Sequence, residues 1–106
     1  MKLACEEVFG PVVTLASYTT LEEAIERINR SKYGLQVAIF TDNADSQALF
    51  YRQCDVGGVI VNDSPSVRFD SMPYGGNKES GYGREGIASA FHEMTTAKTL
   101  IERKRK

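Results

Sequence analysis

Residues 81 to 86 read GYGREG and fit G-x-G-x-x-G, the glycine spacing that lets a backbone approach a dinucleotide pyrophosphate at a helix N-terminus. That chemistry needs a buried strand to deliver the chain to the first glycine and a helix that begins near the last. The downstream half of the context is present. Ile87, Ala90, Phe91 and Met94 recur at helical spacing, a short Thr99-Leu100-Ile101 run follows, and Glu102 lies about twenty residues on. The upstream half is not, because residues 68 to 80, RFDSMPYGGNKES, carry a proline, glycines and charges of both signs where a buried parallel strand is a continuous apolar run. GYGREG therefore reads as a glycine-rich turn entering an amphipathic helix.

Other reactive side chains are few. Cys5 and Cys54 lie far apart without C-x-x-C spacing and His92 is beside neither, so no zinc site and no disulfide framework is expected. A cysteine within a helix, as Cys54 reads, is by default a small apolar residue. Against 13 basic side chains stand 14 acidic ones, a net charge of -1, which leaves no electrostatic footprint for nucleic acid or an anionic membrane. The final RKRK is a solvated basic tail. The N-terminal MKLACEEVFG has too short an apolar segment for a signal peptide, and no stretch approaches membrane-spanning length. A reduced, cytoplasmic setting is the expectation. At 106 residues the chain is one domain at most, short for an enzyme that must hold a cofactor and a substrate together.

The elements that must position any site follow from periodicity. VVTLASY (12 to 18) is rich in β-branched residues and follows Pro11, which suits a strand start. Thr20-Leu21-Glu22-Glu23 matches a capping box, and Leu21, Ala24, Ile25 and Ile28 form the stripe of an amphipathic helix, with Arg27, Arg30 and Lys32 in its last turns and Gly34 as its stop. LQVAIFT (35 to 41) predicts a second strand. Asp42 or Asn43 caps a second helix through Ala48, Leu49 and Tyr51 to about Cys54, closed by Gly57-Gly58, before a third strand at VIVN (59 to 62). Strand, helix, strand, helix, strand with short connections predicts an α/β fold with a mostly parallel sheet and flanking helices.

Residues 63 to 83 then run about twenty residues without periodicity, a length that inside a compact domain marks a functional or a disordered segment. Arg68, Phe69, Met72 and Tyr74 make it too apolar and aromatic for a disordered tether. It leaves the carboxyl end of a strand, where open α/β sheets bind ligands, and is expected to be ordered and near a site. Asn62, at the strand end, reads as structural, its amide tying the loop start to backbone groups.

EEVFGPV (6 to 12), YGLQVAIFT (33 to 41) and GGVIVNDSPSVRFDSMPYGGNKESGYGREG (57 to 86), in this order and spacing, resemble the C-terminal part of the aldehyde dehydrogenase superfamily. The likeness runs over nearly the whole chain. It implies that GYGREG is the family's glycine-rich entry into its last helix and not its nucleotide fingerprint. It implies that Glu7 hydrogen-bonds the nicotinamide ribose of NAD or NADP and that Phe9 packs beside the nicotinamide. Carboxylate and aromatic suit those roles, since one accepts from two adjacent hydroxyls and the other limits where the ring lies. On the residues alone, Glu6-Glu7 is a solvated acidic pair and Phe9 a core residue before Gly10-Pro11.

The resemblance further makes residues 63 to 83 a substrate-tunnel loop, with Phe69 a wall for the aldehyde and Arg68 an anchor for a polar or carboxylate-bearing substrate, where the residues alone give a surface arginine. Some members bind a monovalent cation around the position of Lys78 and Gly81; no metal is assigned here. The family's nucleophilic cysteine, general-base glutamate and nucleotide domain lie before the segment this chain resembles, and neither Cys5 nor Cys54 takes the nucleophile's place. The expectation is a C-terminal fragment of an NAD(P)-dependent enzyme that oxidises an aldehyde to a carboxylic acid. Residues 1 to 96 are then part of the catalytic domain, and 97 to 106 an interface strand (AKTLIE, 97 to 102) with a basic tail. Its partners are the missing N-terminal portion and further copies in a homo-oligomer. From other classes come a free-standing nucleotide-binding module built on GYGREG and a structural assembly module.

Overall fold

The computed structural model describes residues 6–104; Cys5 and the last two residues of the basic tail lie outside the described residues. Helix α1 spans Leu21–Arg30. The Thr20 hydroxyl accepts from the Glu23 N–H at 3.3 Å, as a capping box requires, but the Glu23 carboxylate returns to the Thr19 N–H at 2.9 Å, one residue before the cap. That N–H, with the Arg27 guanidinium one turn away, holds the Glu23 carboxyl below its usual range. Ser31 ends the helix in extended conformation. Gly34 is not its stop. It sits in strand β1 (Tyr33–Gly34), buried, where an added Cβ would come within 2.7 Å of the Asp55 carbonyl oxygen. Close approach of backbone, not a left-handed turn, makes this a glycine.

Strand β2 (Gln36–Ile39), helix α2 (Ala44–Gln53) and strand β3 (Gly58–Val61) follow as a βαβ unit, β2 and β3 pairing parallel from Gln36↔Gly58 to Ile39↔Val61. Of the two caps expected for α2, Asn43 is the one used, its Oδ1 accepting from the Ser46 N–H at 2.9 Å, and Cys54 ends the helix. Gly57-Gly58 does not close it: Gly57 faces Gly75 so closely that a Cβ would overlap the Gly75 carbonyl, which lets the later loop lie on the strand entry. Ile25 of α1 and Phe50 of α2 are buried with Cys54, and Leu21, Ile28, Val37, Ile39, Leu49, Val56 and Val59 pack around them.

Two further features differ from the sequence expectation. Residues 12–18 form no strand; β-branched residues favour a ladder only where another strand offers one, and Val12, Val13 and Leu15 are exposed. The long loop is not uniformly irregular, since strand β4 (Asn77–Lys78) pairs antiparallel with β1, and Tyr74 bridges Glu85. Helix α3 spans Ile87–Met94, as the spacing predicts, yet buries none of its residues. Residues 97–102 form no ladder within the single chain. The radius of gyration is 19.4 Å, against about 13 Å for a compact domain of this length, because both ends leave the packed centre as arms.

Candidate functional site

The loop that leaves β3 is fastened at its first residue. Asn62 adopts φ 57°, its N–H donates to the Ile39 carbonyl at 2.8 Å, and its side chain accepts from the Thr41 N–H at 2.8 Å while donating to the Thr41 carbonyl at 3.2 Å. The amide thus prolongs the parallel ladder one step past its last backbone pair. This is the structural role expected of it.

Beyond Asn62, Arg68 lays its guanidinium 4.2 Å from the Tyr74 ring centroid and pairs with Glu85 at 3.1 Å. Phe69 is 67 % exposed beside it. Glu7 and Phe9 stand elsewhere, on the N-terminal arm, where they line an open cleft of about 1130 Å³ with Gly34, Gln36 and Val56. Phe9 is 97 % exposed, so the core role that the residues alone would give it does not hold. The chain brings Arg68 and Phe69 together and Glu7 and Phe9 together. It does not join the two pairs in one pocket, because Arg68 and Phe69 are absent from the cleft wall.

Sequence reasoning misses a polar network beneath the loop. Asn29, Asp55, Asn77 and Arg84 come from four separate segments, so no spacing announces them; their hydrogen bonds tie the loop to the ends of α1 and α2. Lys78, at φ 55°, sends its ammonium to the carbonyls of Asn29 at 3.3 Å and Ser31 at 2.8 Å. Those are free carbonyls at the end of α1, where a cation is favoured. Next to it the Lys32 ammonium pairs with Glu79 at 3.1 Å, and that contact raises its pKa. Burial pushes the Cys54 thiol up, which suits a packed apolar residue and not a nucleophile. No group of three or more His, Cys, Asp and Glu that could hold a metal occurs among the described residues.

GYGREG lacks the setting of a dinucleotide fingerprint. Gly81, Gly83 and Gly86 take φ of 143°, 70° and 131°, conformations that side chains disfavour, and α3 begins directly after Gly86. What precedes them is the two-residue antiparallel strand β4 and a turn, with no parallel strand aimed at the first glycine.

The aldehyde dehydrogenase family model matches residues 1–100. This chain belongs to the aldehyde dehydrogenase family. Among its relatives, the 3-sulfolactaldehyde dehydrogenase of Priestia aryabhattai is 45% identical over 101 residues, 95% of this chain and 21% of the relative. Aldehyde dehydrogenase 21 of Physcomitrella patens, solved with the reaction product succinate, superposes with a TM-score of 0.86 at 47% identity, over 92% of this chain and 20% of that one. The glyceraldehyde-3-phosphate dehydrogenase of Methanocaldococcus jannaschii, solved with NADP, gives a TM-score of 0.68 at 46% identity over 72% of this chain and 17% of that one. The chain spans about a fifth of the length of the curated relatives it matches. The α/β arrangement is accordingly a part of the aldehyde dehydrogenase catalytic fold.

Proposed function

We propose that this chain is the C-terminal portion of an NAD(P)-dependent aldehyde dehydrogenase, the portion that closes the nicotinamide end of the cofactor site and lines the substrate entrance. The observation that carries the reading is the placement of Glu7 and Phe9 on one wall of an open cleft against the β1–β2 segment. Both are exposed and turned to that space. A carboxylate there accepts from the two hydroxyls of a ribose, and an aromatic face restricts where a nicotinamide ring lies. When bound, the nicotinamide supplies the hydride acceptor for aldehyde oxidation to a carboxylic acid.

Arg68 and Phe69 are then the wall met by the incoming aldehyde. Some relatives are named for 3-sulfolactaldehyde or glyceraldehyde-3-phosphate and one holds succinate, molecules with an anionic tail, while others are named for lactaldehyde and betaine aldehyde, which have none. A guanidinium suits such a tail, and Arg68 keeps half of its side chain exposed. Residues 97–102, with Leu100 and Ile101 exposed, are the strand that pairs with a neighbouring subunit of a homo-oligomer. A reduced, cytoplasmic setting completes the reading.

The test is Glu7→Gln in the complete enzyme, which replaces a charged acceptor with a neutral amide of the same shape. The KM for cofactor is expected to rise about tenfold with the fold intact, the scale of one charge-assisted hydrogen bond. Unchanged cofactor kinetics would remove Glu7 from the ribose.

A further inference from the structure

Arg68 and Phe69 sit on an irregular loop, yet a substrate wall has to hold one position relative to the rest of the molecule. A continuous run of hydrogen bonds provides for this. Asn29, at the end of α1, donates through Nδ2 to the Gln53 carbonyl at 2.7 Å and accepts at Oδ1 from the Asp55 N–H at 2.8 Å, which joins the ends of both helices. The Asp55 carboxylate accepts from Asn77 Nδ2 at 2.9 Å. Asn77 Oδ1 accepts from Arg84 Nη2 at 2.6 Å, and Arg84 Nη1 donates to the carbonyls of Gly76 at 3.1 Å and Gly83 at 2.8 Å. Arg84 is followed by Glu85, whose backbone exchanges both bonds with Tyr74 and whose carboxylate holds Arg68.

The centre of this run is an amide standing between a carboxylate and a guanidinium. Only one orientation satisfies both neighbours, NH2 toward Asp55 and C=O toward Arg84, and only an amide offers a donor and an acceptor at those two points. An aspartate there would face Asp55 with a second carboxylate, and an apolar residue would leave both charged groups without this partner. Asn77 is also fixed by its backbone, since it pairs with Gly34 in the β1–β4 ladder.

Resting on the reading of Arg68 and Phe69 as the substrate wall, we propose that Asn77 is a positioning residue for substrate specificity. It registers that wall against the ends of α1 and α2 through Arg84 and Glu85. Asn77 touches neither aldehyde nor cofactor in this role. Its effect is to keep the Arg68 guanidinium at one distance from the reacting end of the molecule, so that tail length and charge are read from a fixed point.

The experiment compares Asn77→Asp with Asn77→Asp combined with Asp55→Asn, which restores a donor opposite the new carboxylate. In the chain itself, amide hydrogen exchange at Met72 and Tyr74 is expected to quicken about tenfold in the single variant and to recover in the double, while the α1 and α2 amides stay protected. In the complete enzyme, the KM for an aldehyde with a sulfonate or carboxylate tail is expected to rise about tenfold in the single variant and to recover in the double, with kcat and the KM for propionaldehyde unmoved. Exchange and KM unchanged in Asn77→Asp, a double variant as disturbed as the single, or an equal loss with charged and neutral aldehydes would overturn the proposal. Arg68→Ala separates it from the reading it rests on. If that change leaves the KM of every aldehyde alone, Arg68 is not a substrate contact, while the exchange measurement still decides whether Asn77 holds the loop.

Discussion

The packed centre and the two arms are built from similar residues and end in opposite states. Between Thr20 and Asn62, the apolar stripes of α1 and α2 close on β2 and β3, and Ile25 and Phe50 are each 3 % exposed. In the arms, Leu15 at 94 %, Met94 at 85 % and Leu100 at 89 % stand in solvent. The arms do not lack local structure signals, since α3 forms over the residues whose spacing predicts it. Among the described residues neither arm buries a side chain. A helix takes its register from local sequence, but its stability comes mostly from the face it buries, and α3 buries none. The difference marks which contacts this chain, about a fifth of the length of its aldehyde dehydrogenase relatives, completes by itself.

The strongest way to break this division is to ask the chain for the whole reaction. Purified alone, it is expected to show no aldehyde dehydrogenase activity, because in the proposed function Glu7 and Phe9 would meet only one end of a cofactor and burial pushes the Cys54 thiol up, away from the thiolate a nucleophile needs. The assay mixes the chain with NAD or NADP and short aldehydes and follows reduced cofactor by absorbance. Steady turnover that disappears when Cys5 and Cys54 are both changed to Ser would make one of them a nucleophile and end the fragment reading.

A pair of matched truncations sharpens the same contrast. Phe50→Ala empties the core and is expected to cost about 3–5 kcal/mol, enough to unfold so small a centre. Phe91→Ala, on the outer arm at 65 % exposure, is expected to stay within about 0.5 kcal/mol. Urea unfolding followed by circular dichroism reads both. Equal costs would mean that α3 packs in solution and that the two regions are one.

Sequence legibility divides along the same line. The helices are readable because capping residues and a stripe of Leu21, Ile25 and Ile28 act within one turn of each other, and α1 and α2 form near the predicted bounds. Asn62 is readable because a lone amide at a strand end has few other uses. The strand expected at residues 12–18 is not there, since composition reports an affinity for a ladder and not the presence of one. Gly34 and Gly57 are misread as helix stops because the atoms that demand a glycine, the carbonyls of Asp55 and Gly75, are distant in sequence. The Asn29–Asp55–Asn77–Arg84 network is illegible for the same reason. As for the site, Arg68 and Phe69 are legible as part of a long, apolar loop at a strand end, while their roles, and Glu7 and Phe9 altogether, come only with the family resemblance, and the chain places the four as two separate pairs.

A smaller effect is expected at the entry to the centre, where Thr19, Thr20 and Glu23 share the first turn of α1. Thr20→Ala removes the acceptor for the Glu23 N–H and is expected to cost about 1 kcal/mol in the same unfolding experiment. The Glu23 carboxyl is held low by the Thr19 N–H and then by Arg27, so its contribution is present above the pKa of the unfolded chain and is lost as pH falls through the lower folded value. Acid titration of the Glu23→Gln chain, compared with the parent, is expected to show a shallower loss of stability below the usual carboxylate range. Identical acid limbs would mean that the Thr19 contact does not persist in solution.

The smallest effect is expected where the arm is longest. Residues 97–104 make no ladder within the chain and expose Leu100 and Ile101, so deleting residues 97–106 removes apolar surface that was never withdrawn from water. The unfolding free energy of the centre is expected to change by less than about 0.5 kcal/mol, and the urea dependence to keep its slope, because the area exposed on unfolding is the same. In the complete enzyme the same deletion is expected to lower the oligomeric mass seen by light scattering, since the proposed function has residues 97–102 gain a ladder from a neighbouring subunit. The two measurements test the division from opposite sides. A large loss of stability in the isolated chain would put residues 97–104 in the centre, and an unchanged mass in the complete enzyme would deny them the interface.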